Sequence, residues 1–507
     1  MSLPAGFTHL SVSRGIRTSA ARVPHKPAIE WAGGRVSYRT LTRRMNQLGH
    51  AVIGRYGLTA GDVVALIAPN RPEYLEVVAG LSDHGLVVAT LNPRLAPAEL
   101  DAIAADCQPK LVIIDPALGA LAEQVRSMQI AQLSFGPDYE ALLAKAADTA
   151  PKQVVPEWAR FSICYTSGTT GLPKGVQLPH RSRALVAMAS AIEYGCFGMS
   201  DRFLSLSPLY HGAGFAFAAA AISFGGTCVL YGNNDPAAML ERLGQGDLTG
   251  VFMVPTHFKR LFDLPETRFD GLTERHGLKT IISNAAALAQ PFKDQTVQRF
   301  GPGLLHETYG STEAGIVTNI RPDHILAKPG SVGTPFISMQ VEIRRGDGSL
   351  CSPGETGELF AKGPYTFNGY LNRPEATEET LVDGWVTVQD LASMDEDGFI
   401  TISGRMKDMV VSGGVNIYPA EIEAVIAKQP GVQEVAVVGL PDDEWGERVH
   451  AFVVGGGTPM APTGAILDAC RAQLSGYKVP RGITVIDELP RNPSGKILKR
   501  ELRARQD

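Results

Sequence analysis

The sequence predicts an α/β protein whose large N-terminal part is followed by a smaller α+β part, and three observations support this. Apolar runs alternate with helical segments between residues 62 and 115. After Gly330 the pattern changes to short β segments separated by turns. From Pro419 onward helices and strands are mixed over about a hundred residues, the size of a small domain. With 507 residues, the chain is long enough for about two to four domains.

The parallel α/β part is predicted from the order of its elements. Apolar runs occupy 63–68, 87–91 and 111–114, and helical segments occupy 74–83 and 96–107. Short buried strands separated by helices are typical of a parallel sheet with helices on its faces. We therefore expect parallel α/β subdomains here, and a further helix over 181–193 continues the pattern.

The region after Gly330 predicts a small β subdomain and then the α+β part. Antiparallel hairpins are expected from β segments at 341–344, 357–362 and 399–403. The C-terminal elements are expected to be a helix at 420–428, strands at 435–439 and 450–454, a helix at 465–474 and a strand at 484–486.

Composition excludes several functional classes. Hydrophobic residues make up 44% and charged residues 20% of the chain, as in soluble globular proteins. The net charge of −5 gives no basic face for nucleic acid. Six widely spaced cysteines match no metal or redox motif and favour a reducing cytoplasm. The uncharged stretch between Arg202 and Asp235 is broken by Pro208 and Gly225, so we expect no transmembrane segment.

The loop YTSGTTGLPKGV at 165–176 is rich in groups that bind phosphate. Glycines allow backbone N–H groups to converge on an anion, and hydroxyls add donors. A Gly/Ser/Thr-rich surface loop is the alternative. The candidate phosphate-binding residues are Thr166, Ser167, Gly168, Thr169, Thr170 and Lys174.

A second cluster combines an aromatic ring, hydroxyls and a carboxylate at Tyr309, Gly310, Ser311, Thr312 and Glu313. Such a set suits a nucleotide with its metal, because the ring can stack on a base and the carboxylate can hold Mg²⁺. A turn followed by a helix N-terminus is the plainer alternative.

Three more residues complete the candidate chemistry. Asp390 and Arg405 offer an acceptor and a donor for ribose hydroxyls, and Lys496, in the Pro/Asn/Ser/Gly turn near the C-terminus, suits a reacting phosphate oxygen. Ordinary surface charges are the alternative for each.

Together these motifs resemble the adenylate-forming superfamily of acyl-CoA synthetases, adenylation domains and luciferases. The resemblance extends from Lys26 to Lys496, with the motifs in the family's order. It implies an N-terminal adenylation domain at 1–406, a hinge at Lys407 and a small mobile C-terminal domain at 407–507.

The resemblance also implies a two-step reaction. A carboxylate attacks the α-phosphate of ATP to give an acyl-adenylate and pyrophosphate, and a thiol then attacks the activated carbonyl. Catalytic roles fall on Lys496, Glu313, Thr166 and His211, with Mg²⁺ on Glu313 and Thr166.

For nucleotide and thiol binding, the resemblance assigns further residues. ATP would contact the 165–176 loop, the 309–313 cluster, Asp390 and Arg405. The residues beside adenine would be Asn284, Ala285 and Ala286, and those binding coenzyme A would be Gly413, Gly414, Trp445 and Arg481. A structural role is the alternative for Trp445 and Arg481.

The chain departs from the family pattern in three places. Ser-Gly-Gly-Ala-Pro-Leu is replaced by SNAAAL at 283–288, Thr-Gly-Asp by VQD at 388–390, and a glycine by Thr308. No reacting group is lost, and Asn284 is able to donate a hydrogen bond that glycine cannot.

The acyl pocket is expected to be mainly apolar and to include His211, Phe215, Phe252, Ala287 and Gly310. Segment 208–215 carries no aspartate that could pair with the ammonium group of an amino acid, so we do not expect a free amino acid as the substrate. Gly310 stands where acetate-specific relatives have a tryptophan that closes the pocket, so a larger acyl group should fit. We therefore expect a medium-chain, alicyclic or aryl acid.

His257, Lys259 and Arg260 leave a dicarboxylate open, and a solvated helix face is the favoured alternative for them. Core packing is the alternative for Phe215 and Phe252. The predicted function is an ATP-dependent acyl-CoA synthetase. The alternatives are a ligase that passes the acyl group to a carrier protein and a luciferase-like oxygenase. A homodimer stays open.

Overall fold

The computed structural model describes residues 9–166, 173–233, 235–412, 415–442, 444–456, 459–491 and 497–505. The chain divides into two compact units. The first unit contains Met1–Val341 and Ala361–Val386, and the second contains Glu342–Phe360 and Thr387–Asp507.

The strands, in chain order, are β1 (Pro27–Trp31), β2 (Gly34–Ser37), β3 (Val63–Ile67), β4 (Val87–Leu91), β5 (Leu111–Ile114), β6 (Ala131–Ser134), β7 (Arg160–Thr166), β8 (Lys174–Pro179), β9 (Arg202–Ser205), β10 (Thr227–Leu230), β11 (Gly250–Met253), β12 (Thr280–Ser283), β13 (Leu305–Ser311), β14 (Gly315–Ile320), β15 (Ser331–Pro335), β16 (Gln340–Arg344), β17 (Gly357–Lys362), β18 (Leu381–Val382), β19 (Trp385–Val386), β20 (Asp390–Met394), β21 (Ile400–Arg405), β22 (Val410–Ser412), β23 (Val415–Ile417), β24 (Val432–Asp442), β25 (Gly446–Gly455) and β26 (Gly482–Ile486).

The α-helices, in chain order, are α1 (Val12–Arg22), α2 (Tyr38–Tyr56), α3 (Pro72–Asp83), α4 (Pro97–Cys107), α5 (Ala120–Ser127), α6 (Pro137–Ala144), α7 (His180–Tyr194), α8 (Gly212–Ser223), α9 (Pro236–Leu243), α10 (Pro255–Phe262), α11 (Leu272–Arg275), α12 (Gln290–Phe300), α13 (Pro374–Thr380), α14 (Pro419–Ile426), α15 (Thr463–Gln473) and α16 (Lys499–Arg503).

The first sheet of the first unit has the strand order β6-β5-β3-β4-β7-β8. Neighbouring strands from β6 to β7 are parallel, and β8 runs antiparallel to β7. Every residue of β3, β4 and β5 is buried. Their valine- and isoleucine-rich sequences fit this position, because helices cover both faces of a parallel sheet.

The second sheet of the first unit has the order β15-β14-β13-β12-β11-β9-β10-β1-β2. Its central strands, from β13 to β1, are parallel to one another. A core of apolar side chains, among them Leu204, Val251, Ile281 and Leu305, is buried against this sheet. Much of the uncharged stretch between β9 and β10 forms the largely buried helix α8.

The second unit contains antiparallel strands and a small mixed sheet. Strand β20 pairs antiparallel with both β17 and β21. The mixed sheet has the order β23-β22-β25-β24, and β26 pairs parallel with β25. Helices α14 and α15 supply Ile422 and Ile466 to the core of this sheet.

The predicted fold class is confirmed: a large N-terminal α/β part is followed by a small α+β part. Among the described residues, no helix combines the length and the apolar character needed to cross a membrane.

Candidate active site

The carboxyl ends of β9, β11, β12 and β13 lie at one edge of the second sheet of the first unit. Ser205, the last residue of β9, pairs with Phe252, and Met253, the last residue of β11, pairs with Ser283, the last residue of β12. Ser283 in turn pairs with Glu307, the third residue of β13. Ligands of open α/β sheets bind at this kind of edge. The segments that follow these strands include 208–211 and 284–287, and Tyr309 lies in the last part of β13.

Two of the departures from the family pattern contact each other at this edge. The side-chain Nδ2 of Asn284 donates to the Thr308 hydroxyl at 2.6 Å and to the Thr308 carbonyl at 3.0 Å. The extra donor of Asn284 is therefore used within the protein. Ala285, which follows it, has φ of +79°, a left-handed conformation that favours glycine.

A buried ion pair between Lys293 and Glu307 anchors the 284–288 segment. Lys293 Nζ lies 2.5 Å from Glu307 Oε2, and both side chains are 2% exposed. The other carboxylate oxygen of Glu307 accepts from the backbone N–H of Leu288 at 2.7 Å. The pair thus fixes the end of this segment to β13.

The candidate phosphate loop closes the hairpin formed by β7 and β8. Thr166, the last residue of β7, lies directly opposite Lys174, the first residue of β8. The two candidate residues at the ends of the loop are therefore neighbours. Ser167, Gly168, Thr169 and Thr170 lie outside the described residues.

Glu313 is connected to Lys174 through Tyr370. The Tyr370 hydroxyl donates to Glu313 Oε1 at 2.8 Å, and Lys174 Nζ lies 5.0 Å from the centre of the Tyr370 ring. Both Tyr370 and Glu313 are buried. Burial, and then the Glu313 carboxylate, raise the pKa of Tyr370 above its ordinary value, so its hydroxyl stays a donor.

Tyr370 is a candidate site residue that the sequence did not predict. It is positioned by backbone pairing with β8: Tyr370 bridges to Val176, and the N–H of Leu371 donates to the Gly175 carbonyl at 2.8 Å. An isolated aromatic residue in a turn-rich segment gives no sequence signal for this role.

The 309–313 cluster covers the end of β13 and the turn into β14, so it lies on a hairpin. The alternative of a turn followed by a helix N-terminus does not apply, because β14 follows the turn. Ser311 Oγ accepts from the N–H of Ala314 at 3.0 Å. A Cβ atom on Gly310 would lie 2.1 Å from the Gly315 carbonyl oxygen. Gly310 is therefore required by the backbone of this hairpin, beside any role in the acyl pocket.

The predicted acyl-pocket residues do not all line the same cavity. His211 and Phe215, at the start of α8, line one small cavity. Phe252 is buried against Phe217, with ring centres 4.9 Å apart, and does not line it. Ala287 is exposed and does not line it either.

The second unit brings Asp390 and Arg405 together. They are paired across β20 and β21, and Arg405 Nε lies 3.0 Å from Asp390 Oδ1. One position therefore offers both an acceptor and donors, the combination needed for adjacent hydroxyl groups. Gln389, at the glycine position of the family pattern, has φ of +61°.

Trp445 and Arg481, assigned to coenzyme A, are also neighbours in the second unit. The guanidinium carbon of Arg481 lies 5.4 Å from the centre of the Trp445 ring. Trp445 is 39% exposed in the turn between β24 and β25. Ser412 pairs with Gly446, next to Trp445. Gly413 and Gly414, which follow Ser412, lie outside the described residues.

Lys407 lies in a 3₁₀ turn at Met406–Asp408. Its carbonyl oxygen accepts from Arg503 at 3.3 Å, and Arg503 also bonds Asp408 at 3.1 Å. Lys496 lies outside the described residues.

Two family models match most of the chain. The AMP-binding enzyme family matches residues 16–371. The AMP-binding enzyme C-terminal domain matches residues 421–496. The chain belongs to the AMP-binding enzyme family. The predicted resemblance to the adenylate-forming superfamily is thereby confirmed.

Relatives of this AMP-binding enzyme are similar over almost their whole length. It is 36% identical to a feruloyl-CoA synthase from an Amycolatopsis species, over 95% of this chain and 96% of the relative. It is 33% identical to a 2-succinylbenzoate–CoA ligase from Geobacillus kaustophilus, over 97% and 94%. The crystal structure of ATP-bound MatB from Rhodopseudomonas palustris is 29% identical, with a TM-score of 0.89 and 98% and 99% coverage.

The AMP-binding enzyme offers ligands that fit Mg²⁺ with ATP. Glu313 supplies a carboxylate and Thr166 a hydroxyl, the oxygen ligands that Mg²⁺ prefers. Within the described ranges, His, Cys, Asp and Glu side chains nowhere form a group of three or more suited to a metal. This does not conflict with a Mg²⁺ site, because one or two carboxylates with substrate phosphates and waters are its usual ligands.

Proposed function

We propose that this AMP-binding enzyme is an ATP-dependent acyl-CoA synthetase. It would activate a carboxylic acid as acyl-AMP with release of pyrophosphate, and then transfer the acyl group to coenzyme A. The proposed acid is medium-chain, alicyclic or aryl. The names of the two relatives above, which contain feruloyl and 2-succinylbenzoate, support an aryl acid.

The observation that carries this proposal is the connection from Lys174 through Tyr370 to Glu313. It joins the hairpin of the phosphate loop to the one buried carboxylate of the 309–313 cluster. A lysine and a carboxylate held by the same tyrosine suit a substrate with several phosphates, because the carboxylate can hold the metal that the phosphates need. When bound, Mg²⁺ would neutralise charge that develops on the phosphates.

The roles of the other residues follow from their chemistry. Lys174 and the loop would hold the β- and γ-phosphates, while Lys496 stabilises the charge on the α-phosphate under attack. Asp390 and Arg405 would bind the ribose hydroxyls. The proposed domain boundary lies at 406/407, and Lys407 is the proposed hinge about which the C-terminal domain turns between the two steps.

Coenzyme A is the proposed acceptor because of the pair formed by Trp445 and Arg481. An exposed indole can stack on a base, and a guanidinium can bind phosphate. Gly413 and Gly414 would line the path of the pantetheine arm, since backbone without side chains allows close approach.

The central experiment measures pyrophosphate release with a panel of carboxylic acids, with and without coenzyme A, and identifies products by mass spectrometry. We expect release that depends on the acid and an acyl-CoA product. An acyl-AMP ester as the only product would favour transfer to a carrier protein or oxidation instead. No release with any acid would contradict adenylate formation.

The two half-reactions separate the proposed roles. Lys496→Ala is expected to slow adenylate formation by about 10² or more, while thioester formation from supplied acyl-AMP survives far better. Gly414→Leu is expected to do the reverse. Equal loss of both half-reactions in either variant would contradict this division.

A further inference from the structure

Arg183, on α7, is a buried cation without an acidic partner in the described part of the chain. Its side chain is 8% exposed. Its Nε donates to Ser182 Oγ at 3.3 Å and its Nη2 to the Tyr365 carbonyl at 3.1 Å. Nη1 has no hydrogen-bond partner among the residues described.

Arg181, two residues earlier on the same helix, has an ordinary environment. Its Nη1 lies 2.5 Å from Glu157 Oε1, and its guanidinium carbon lies 5.1 Å from the centre of the Trp158 ring. The difference arises because residues two apart on a helix do not face the same way.

An unpaired charge inside a protein is costly, because the lost hydration is not replaced by an ion pair. Burial lowers the pKa of Arg183 to about 10, so the side chain still carries its charge at neutral pH. The two acceptors, Ser182 Oγ and the Tyr365 carbonyl, are neutral and do not neutralise this charge. An anion that reached Nη1 would neutralise it.

A cavity beside Arg183 provides the place for such an anion. It has a volume of about 10 Å³, which is room for roughly one water molecule. Its lining includes Arg183, Thr90, Ser162, Cys164, His211 and Phe215. Apolar side chains, among them Val78, Leu178 and Leu209, complete the lining. Among the described lining residues, Arg183 is thus the one charged group beside a mainly apolar space that is large enough for a carboxylate oxygen.

The position of the cavity identifies the kind of anion. His211 and Phe215 are the two residues of the predicted acyl pocket that line it, so it belongs with the acid and not with the phosphates of ATP. The carboxylate to be activated must remain at the α-phosphate, outside this cavity. A group that reaches Arg183 must therefore be a second acidic group of the same molecule.

We propose that Arg183 is a specificity residue and that the substrate is a dicarboxylic acid whose second carboxylate binds in this cavity. This rests on the proposed function and narrows its substrate class. The charged face of α10 is a weaker candidate for the second carboxylate, because Lys259 already lies 3.7 Å from Asp263 on the same helix.

The test compares acids that differ only in the second carboxylate, such as hexanoate with adipate and 3-phenylpropanoate with 3-(4-carboxyphenyl)propanoate. We measure kcat/KM for pyrophosphate release. The unchanged enzyme is expected to prefer the diacid of at least one pair by about tenfold or more, the effect of a hydrogen bond to a charged group. Binding of the diacid is also expected to raise the Tm of the enzyme, whereas the matched monoacid is not.

Arg183→Met is expected to lower the diacid-to-monoacid ratio of kcat/KM by about 10- to 100-fold. Arg183→Lys, which keeps the charge, is expected to restore part of that ratio. Arg181→Met is the matched control, and it should leave the ratio unchanged.

The outcomes separate this inference from the proposed function. Release of pyrophosphate with monoacids and no preference for any diacid would overturn the inference and leave the proposed function standing. Equal loss for both acids in Arg183→Met would assign Arg183 a structural role and also overturn it. If Arg183→Met fails to fold, the acid preference and Tm of the unchanged enzyme decide. No release with any acid would overturn the proposed function itself.

Discussion

Replacing Tyr370 by phenylalanine tests whether this side chain positions Glu313. The substitution removes only the hydroxyl that donates to Glu313 Oε1 at 2.8 Å. The ring stays in place, so the contact with Lys174, 5.0 Å from its centre, is kept. Any effect therefore comes from the lost hydrogen bond.

The size of the effect follows from burial and charge. Tyr370 is 8% and Glu313 7% exposed, so water does not easily replace the lost donor. A hydrogen bond to a charged group contributes about 1.5–3 kcal/mol. A loss of about 2 kcal/mol in the positioning of Glu313 corresponds to a rate of adenylate formation lowered by about 30-fold.

The assay measures pyrophosphate release as a function of Mg²⁺ concentration, together with the rise in Tm that MgATP produces. Tyr370→Phe is expected to need more Mg²⁺ and to show a smaller rise in Tm. Tyr139→Phe is the matched control, because the buried Tyr139 hydroxyl also donates to a buried carboxylate, Glu76 Oε1 at 2.6 Å, and lies outside the 165–176 loop. It should lower stability without changing the Mg²⁺ dependence.

A double-mutant cycle with Glu313→Gln gives the decisive comparison. If Tyr370 acts through Glu313, the two substitutions are not additive. Additive effects within about 0.5 kcal/mol, or a Mg²⁺ dependence identical to that of the unchanged enzyme, would refute the positioning role.

Three further predictions concern stability and are measured by urea unfolding. Ala285→Gly is expected to raise the free energy of unfolding by about 1 kcal/mol, since its φ of +79° is unfavourable for alanine; a decrease would contradict this. Lys293→Met is expected to cost about 3 kcal/mol by leaving Glu307 buried without its partner, and adding Glu307→Gln should recover part of it. Burial lowers the pKa of His180 to about 4, so protonation favours the unfolded state, and the free energy of unfolding falls as pH drops from about 6.5 towards 4. His180→Gln should reduce the difference in the free energy of unfolding between pH 7.5 and pH 5 by about 2 kcal/mol. An unchanged difference would refute this.

Much of the fold was predictable because it depends on local pattern. The predicted strands at 87–91 and 111–114 have the bounds that the structure gives to β4 and β5. Both are continuous apolar runs, as expected for fully buried strands. The strand predicted at 435–439 extends over Val432–Asp442, because it pairs with β25 along its whole length. Such pairing is not visible in a local window.

The candidate site was predictable only where its residues share a motif. The loop after Thr166 stands out by composition, whereas Tyr370 is positioned by pairing with β8, far away in the sequence. Arg181 and Arg183 are equivalent in the sequence of a predicted helix. Only the packing of α7 determines that the first faces Glu157 and the second is buried.

The segment 365–371 contacts both Arg183, which we assign to the acid, and the pair Glu313 and Lys174, which we assign to ATP and its metal. Its Tyr365 carbonyl accepts from Arg183, and the N–H of its Phe367 donates to the Glu313 carbonyl at 2.9 Å. Its Tyr370 contacts both Glu313 and Lys174. An acid bound at Arg183 and a phosphate bound at the loop would thus be held by opposite ends of one short piece of backbone. That backbone is also paired to β8, since Tyr370 bridges to Val176 and the N–H of Leu371 donates to the Gly175 carbonyl. If both proposals hold, the acid and ATP would therefore be positioned by the same element.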